Sequence, residues 1–228
     1  MQLNNIFNRL TDIELSQLSI GGADEDGITE HDYPKIITAI NAGMEQLYIR
    51  FPLKLQEIMI QQFDHITNYK LHSDFALSNT ASTEPYKYIN DYAPDTFTDD
   101  VIKIELVYNE IGVEVPLNDA DDHYSFFTPE FNILQIPYPD AVNAASVVYR
   151  AMPTLISRTE TDTTTEVAVP PTMVEPLIAY TTHLLVNDQE DKQTFLAKYL
   201  RLCEDLEKYG SFNVARNTNL KLWRNGWV

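Results

Sequence analysis

Residues 34–60 read PKIITAINAGMEQLYIRFPLKLQEIMI, and the change of period inside this stretch decides the fold class. Ile36, Ile37, Ile40, Met44, Leu47 and Tyr48 recur at the spacing that stacks side chains on one face of a helix. Pro34 suits the first helical turn, where its missing N–H leaves no bond unmade. Pro52 then stops the helix. Beyond it Leu53, Leu55, Ile58 and Ile60 fit a strand, and Ile66, Tyr69 and Leu71 fit a second one, joined to the first around Phe63-Asp64-His65. Helix therefore gives way to sheet within one short stretch.

Working outward, the N-terminus reads as two short helices. Ile6, Phe7 and Leu10 form one face, and Thr11 caps a second turn carrying Ile13, Leu15 and Leu18. On the C-terminal side, Ser73 to Thr98 is polar and aperiodic; a loop of that length in a compact domain is expected to wrap a neighbour or its own sheet. Val101 to Tyr108 is a clear strand, and Gly112 turns it into Val113 and Val115 as a hairpin. Asn132 to Ile136 and Ala145 to Tyr149 add two strands, while Thr159 to Thr165 reads as an exposed loop. Helices return at Pro170-Pro171, with Met173, Leu177, Tyr180 and Leu184 on one face. Pro176 requires that this helix begin late or kink. A last helix carries Phe195, Tyr199, Leu202, Cys203, Leu206 and Tyr209, with Gly210 where a C-terminal glycine belongs.

The fold class expected is α+β. The N- and C-terminal helices, residues 1–52 and 170–209, pack as a helical bundle around an embedded antiparallel β region, residues 53–169. Residues 210–228 form an extended C-terminal tail.

The 228 residues are 44% hydrophobic and 22% charged, an ordinary globular composition long enough to bury a core without disulfide or metal. The single cysteine, Cys203, reads as a buried structural thiol. The opening MQLNNIFNRL lacks the features of a signal peptide, and no run approaches the roughly 18 apolar residues of a membrane span. A chain folded in a cytoplasm, without membrane contact, is expected. A net charge of −18 disfavours tight binding to a phosphate backbone. The charge is also uneven. Residues 91–122 hold ten acids against one base, Lys103, whereas residues 210–228 hold Arg216, Lys221 and Arg224 and no acid. Removing that +3 leaves the rest of the chain at −21.

Motifs for chemistry are absent. The sequence contains no GxGxxG, GxxxxGK[ST], HExxH or GxSxG, so it carries none of the phosphate cradles, zinc helices or nucleophile elbows those patterns encode. The histidines, His31, His65, His72, His123 and His183, show no metal spacing, and His183 reads as a hydrogen-bonded helix residue. Asp119, Asp121 and Asp122 could offer oxygen ligands to a divalent cation, but a solvated acidic turn accounts for them better. Asp24-Glu25-Asp26-Gly27 resembles only a fragment of a calcium loop. No catalytic residue, cofactor or metal is assigned.

The tail carries the strongest functional signal. It holds both tryptophans of the chain, and disordered termini are poor in large aromatics. Trp and Arg are the residues enriched as interface anchors. Leu220, Leu222, Trp223 and Trp227 are therefore read as apolar anchors on a partner subunit, with Arg216, Lys221 and Arg224 meeting acidic surface; the alternative is that the tail folds back onto its own domain.

Several segments together resemble a known family. They are Leu3-Asn4-Asn5-Ile6-Phe7-Asn8-Arg9-Leu10, the helix Pro34 to Arg50, the hairpin around Ile66-Thr67-Asn68-Tyr69, and Phe97-Thr98-Asp99-Asp100-Val101-Ile102-Lys103-Ile104. Leu117-Asn118-Asp119, Phe127-Thr128-Pro129, Leu134-Gln135-Ile136-Pro137 and the helix pair Pro170 to Tyr209 complete the set. In order and architecture they resemble the head-to-tail connector (adaptor) proteins of tailed bacteriophages, most nearly the podophage tail tubular protein A type. The resemblance implies a virion protein at the head-tail junction, assembled in the host cytoplasm as a ring of twelve copies. The ring would sit beneath the portal protein and above a tail nozzle or tail tube protein, with double-stranded DNA passing through its lumen. It also implies that the tail runs against the portal. An acidic lumen would repel DNA and let it slide.

Two other classes compete. A receptor- or carbohydrate-binding module would use Tyr86, Tyr88, Tyr92, Tyr108, Tyr124 and Tyr138 as an exposed contact surface. A hydrolase would place metal at Asp119, Asp121 and Asp122.

Overall fold

The computed structural model describes residues 1–11, 28, 30–94 and 96–208. It is mixed helix and sheet, with four helices and two antiparallel sheets among the described residues. The chain divides into two compact units. One takes Met1–Leu53 together with the chain from Pro153 onward; the other is Lys54–Met152.

The first unit is built on helix α2, Tyr33–Arg50. Its apolar stripe is the one the spacing predicts: Ile36, Ile37, Ile40, Met44 and Leu47 are all fully buried. Helix α3, Val174–Leu185, packs on α2 and on α4, Gln189–Lys208. A 3-10 turn over Pro171–Met173 precedes α3, so the helix begins late and Pro176 falls in its first turn, where no intrahelical N–H is missed. The α2–α3 approach is close because position 43 is glycine. A Cβ there would lie 2.8 Å from Leu177 Cδ1 and 3.5 Å from Thr181 Oγ1. Gly43→Val is therefore expected to destabilise the protein by about 1–3 kcal/mol through overpacking, despite valine's better helix propensity. Chemical denaturation checks this, and an unchanged midpoint would contradict it.

Helix α1, Leu3–Arg9, buries Leu3, Ile6 and Phe7. Its first N–H groups have no intrahelical partner, and the 159–165 segment supplies carbonyls. Leu3 N–H donates to Thr165 O at 2.9 Å and Asn4 N–H to Thr163 O at 2.8 Å, beside a bridge between Gln2 and Glu166. The segment read as an exposed loop has no buried residue and is tied to α1 through its backbone. The helical turn expected over Ile13, Leu15 and Leu18 and the cap at Tyr209 and Gly210 lie outside the described residues, while Thr11, read as the cap of that turn, donates its hydroxyl back to Phe7 O at 3.0 Å.

The assignment of 53–169 to the β region needs correction at its end. Residues 153–169 belong with the helices. Ile156, Val167 and Val169 are buried in the helical core, the Asn41 side chain exchanges hydrogen bonds of 2.8 and 3.0 Å with the Ile156 backbone, and Tyr48 donates its hydroxyl to Ala168 O.

The second unit holds a four-stranded sheet in the order β3-β1-β7-β4 and a three-stranded sheet in the order β2-β6-β5. The strands are β1, Leu55–Gln61; β2, Asn68–Lys70; β3, Ile89–Asn90; β4, Val101–Asn109; β5, Phe127–Glu130; β6, Ile133–Gln135; and β7, Ala144–Ala151. The two strands joined around Phe63-Asp64-His65 lie in different sheets, so the hairpin expected around Ile66-Thr67-Asn68-Tyr69 does not form. The first strand pairs with β3 and β7, while β2 pairs with β6. The 63–65 turn instead carries the chain between sheets, with Phe63 N–H donating to the Tyr69 hydroxyl at 2.9 Å. Beyond Gly112, at φ +75, Glu114 bridges back to Tyr108 and Val115 N–H donates to Val107 O. Both sheets contribute to one core through Ile58, Ile60, Tyr69, Val107, Leu134 and Val147.

The long 73–98 segment wraps its own unit, burying Tyr88, Ile89 and Phe97. Its anchor is Asp91, only 4% exposed. The carboxylate accepts from Ser78 N–H at 2.9 Å, the Ser78 hydroxyl at 2.5 Å and Phe97 N–H at 2.9 Å. Burial alone would raise its pKa, but these hydrogen bonds outweigh burial and hold it below the ordinary 3.8. A depressed folded-state pKa contributes stability that is present above the unfolded value and lost as pH falls through the folded one. Asp91→Ala is accordingly expected to cost about 1–3 kcal/mol at neutral pH, the range for buried groups left unpaired. The gap between variant and parent should narrow below pH ~4 as the parent's carboxylate protonates. Urea titrations at neutral and acid pH measure both, and a pH-independent difference would contradict the account.

Candidate docking surface

Strand β1 alternates, but not between apolar and polar. Ile58 and Ile60 turn inward, while Leu55, Glu57 and Met59 are exposed on the opposite face. Register extends that face across the sheet. Leu55 lies opposite Arg150, Glu57 opposite Val148 and Met59 opposite Ser146; Val148 and Ser146 in turn face Leu106 and Tyr108 of β4. The result is a sheet face left open to solvent, with Leu55 38% and Met59 48% exposed.

Charge divides this face along the strands. At the Leu55 end, Glu105 pairs with Arg150 at 2.6 Å and with Lys103 at 3.4 Å. At the other end lies a hollow of about 310 Å³, lined by Glu57, Met59, Tyr108, Asn109, Glu110, Gly112, Ala144 and Ser146. None of these lining residues is basic. Ser146 donates a short hydrogen bond to Glu57, across 89 positions of sequence. Burial raises the pKa of the Tyr108 phenol, and Glu114 and Glu57 raise it further. The phenol therefore remains a hydrogen-bond donor at neutral pH. The hollow offers an apolar floor, acceptor carboxylates at its rim and one phenol, a combination suited to a cationic or aromatic side chain.

The anchors assigned from sequence, Arg216, Leu220, Lys221, Leu222, Trp223, Arg224 and Trp227, lie outside the described residues. So does the Asp24-Glu25-Asp26-Gly27 stretch. The acidic turn is placed. Asp119 accepts from Asp121 N–H at 3.0 Å and Asp122 from Tyr124 N–H at 2.8 Å, so both carboxylates cap their own loop. Among the described residues no group of three or more His, Cys, Asp or Glu could hold a metal ion. Nor is any described helix long and apolar enough to cross a membrane. His183 Nδ1 lies 2.8 Å from the Lys192 carbonyl oxygen, and Cys203 is fully buried with its thiol pKa pushed up by that burial.

The tyrosine surface is only partly realised. Tyr88 is 2% exposed, with its hydroxyl bonded to both Lys70 N–H and Lys70 O; it is a core residue and leaves the set. Tyr108 belongs to the hollow. Tyr86 and Tyr92 are exposed, and exposed Tyr124 and Tyr138 flank His123, with ring centroids 5.5 and 4.7 Å from it. Sequence reading passed over Glu57, Met59, Glu110 and Ser146. The available signal was the odd positions of β1, where Leu55 and Met59 make a strand apolar on both faces.

No protein-family model matches the chain, and no curated protein matches it.

Proposed function

We propose that this chain is a non-catalytic structural protein of a tailed-phage virion, a ring-forming adaptor that joins the portal to the tail nozzle or tail tube at the head-tail junction. Its helices pack as a bundle, and its C-terminal residues extend as a docking arm that engages the portal. Double-stranded DNA passes through the ring without sequence-specific contact, because a body at −21 repels phosphate. One observation carries this reading. The same chain bears an open, apolar and acidic sheet face and a basic segment holding its only two tryptophans. A ring-forming adaptor needs one surface for its neighbours and a different one for the portal, and the face and the arm are two such unlike surfaces.

The test is the mass of the purified chain by sedimentation, alone and with portal protein. An adaptor joins the portal in multiple copies. A chain that leaves the portal peak unchanged and binds glycan as a monomer would reverse the choice. That second reading, a receptor- or carbohydrate-binding module, is favoured by the exposed Tyr124, His123 and Tyr138 group.

A further inference from the structure

The geometry points to a receiver for the docking arm on the chain itself: we propose that, in the absence of portal, the hollow on the open sheet face binds residues 216–227 of a second copy. This rests on reading the C-terminal residues as a docking arm and gives the arm a destination that the resemblance does not.

Charge complementarity selects the occupant. Glu57 and Glu110 line the hollow with no base among its lining residues, and Glu114, exposed on the adjoining hairpin, bridges back to Tyr108. With the rest of the chain at −21, a neighbour's body is repelled from this surface. The acid-free stretch 210–228, with Arg216, Lys221 and Arg224, is the part of the chain that is attracted. Chemistry agrees with charge. Met59, Ala144 and the Tyr108 ring form an apolar floor for an indole. The Glu57 and Glu110 carboxylates accept the Nε1–H that a buried tryptophan must satisfy. An arginine beside the indole lies within reach of the Tyr108 face. The hollow, about 310 Å³, sits at the small end of ligand pockets, roughly 300–1,000 Å³, so it takes one or two large side chains.

The chain carries its own probe, because Trp223 and Trp227 are its only tryptophans. Tryptophan emission of the full chain is followed against protein concentration without portal, with sedimentation run in parallel. Blue-shifted emission that grows with concentration, together with self-association, is expected. Glu57→Gln with Glu110→Gln should weaken that association at least tenfold. Added salt should weaken it as well, and a synthetic 211–228 peptide should compete it away. Both glutamates are exposed, and an unchanged melting temperature confirms that the double variant is folded. Self-association unaffected by the double substitution overturns the proposal, as does emission that does not shift. A shift independent of concentration also overturns it, since the arm would then lie on its own chain. None of these failures touches portal binding by the arm, which deletion of 211–228 tests separately.

Discussion

Deleting residues 211–228 is expected to abolish measurable binding to portal protein while leaving the melting temperature of the remaining chain unchanged. The segment removes Trp223 and Trp227, Leu220 and Leu222, and all three bases of an acid-free stretch. Tryptophan and arginine are enriched among interface hot spots, whose truncation costs about 2 kcal/mol or more. Losing both tryptophans alone is thus worth about 4 kcal/mol, roughly a thousandfold in affinity. The double substitution Trp223→Ala and Trp227→Ala should reproduce most of that loss. Changing Arg216, Lys221 and Arg224 to glutamine should act instead on the association rate and its salt dependence. Equilibrium binding to immobilised portal separates the two effects. A truncated chain that binds with parental affinity would remove the arm from the account.

The largest stability effect is expected at Leu177. This side chain is fully buried and fills the space that Gly43 leaves between α2 and α3. Leu177→Ala removes its methyl groups at a point where α2 presents a glycine, which has no side chain to fill the gap. The loss should fall at about 2–5 kcal/mol, the range for buried leucines that leave a cavity. Leu177→Met, which conserves volume, should cost less than about 1.5 kcal/mol. Urea titration of the three proteins measures the order. If alanine and methionine cost the same, Leu177 is not the packing element described.

Local pattern was legible where one element satisfies itself. The α2 stripe could be read because every intrahelical bond of Tyr33–Arg50 lies within four residues, and Val101 to Tyr108 because it is a short run dense in Val, Ile, Leu and Tyr. Partnership was not legible. The strands containing Ile58 and Tyr69 were read as successive and joined, yet they lie in different sheets, and Met59 lies opposite Ser146 and Asn90. Nothing in a strand's own residues states which distant strand completes its ladder. Phe127–Glu130 went unread as a strand because Pro129 argues against one. Tyr88 was taken for surface because phenol chemistry is the same wet or buried; only its bonds to Lys70 reveal the core position. The hollow stayed hidden for a related reason. Glu57 and Ser146 meet across 89 positions, and each alone is an unremarked surface residue.

The claim that this chain is a ring-forming adaptor is tested most directly by low-resolution electron microscopy of the purified protein mixed with portal particles. The account predicts a closed ring of added density coaxial with the portal, with a continuous central channel. Bare portal rings beside dispersed single chains would contradict it.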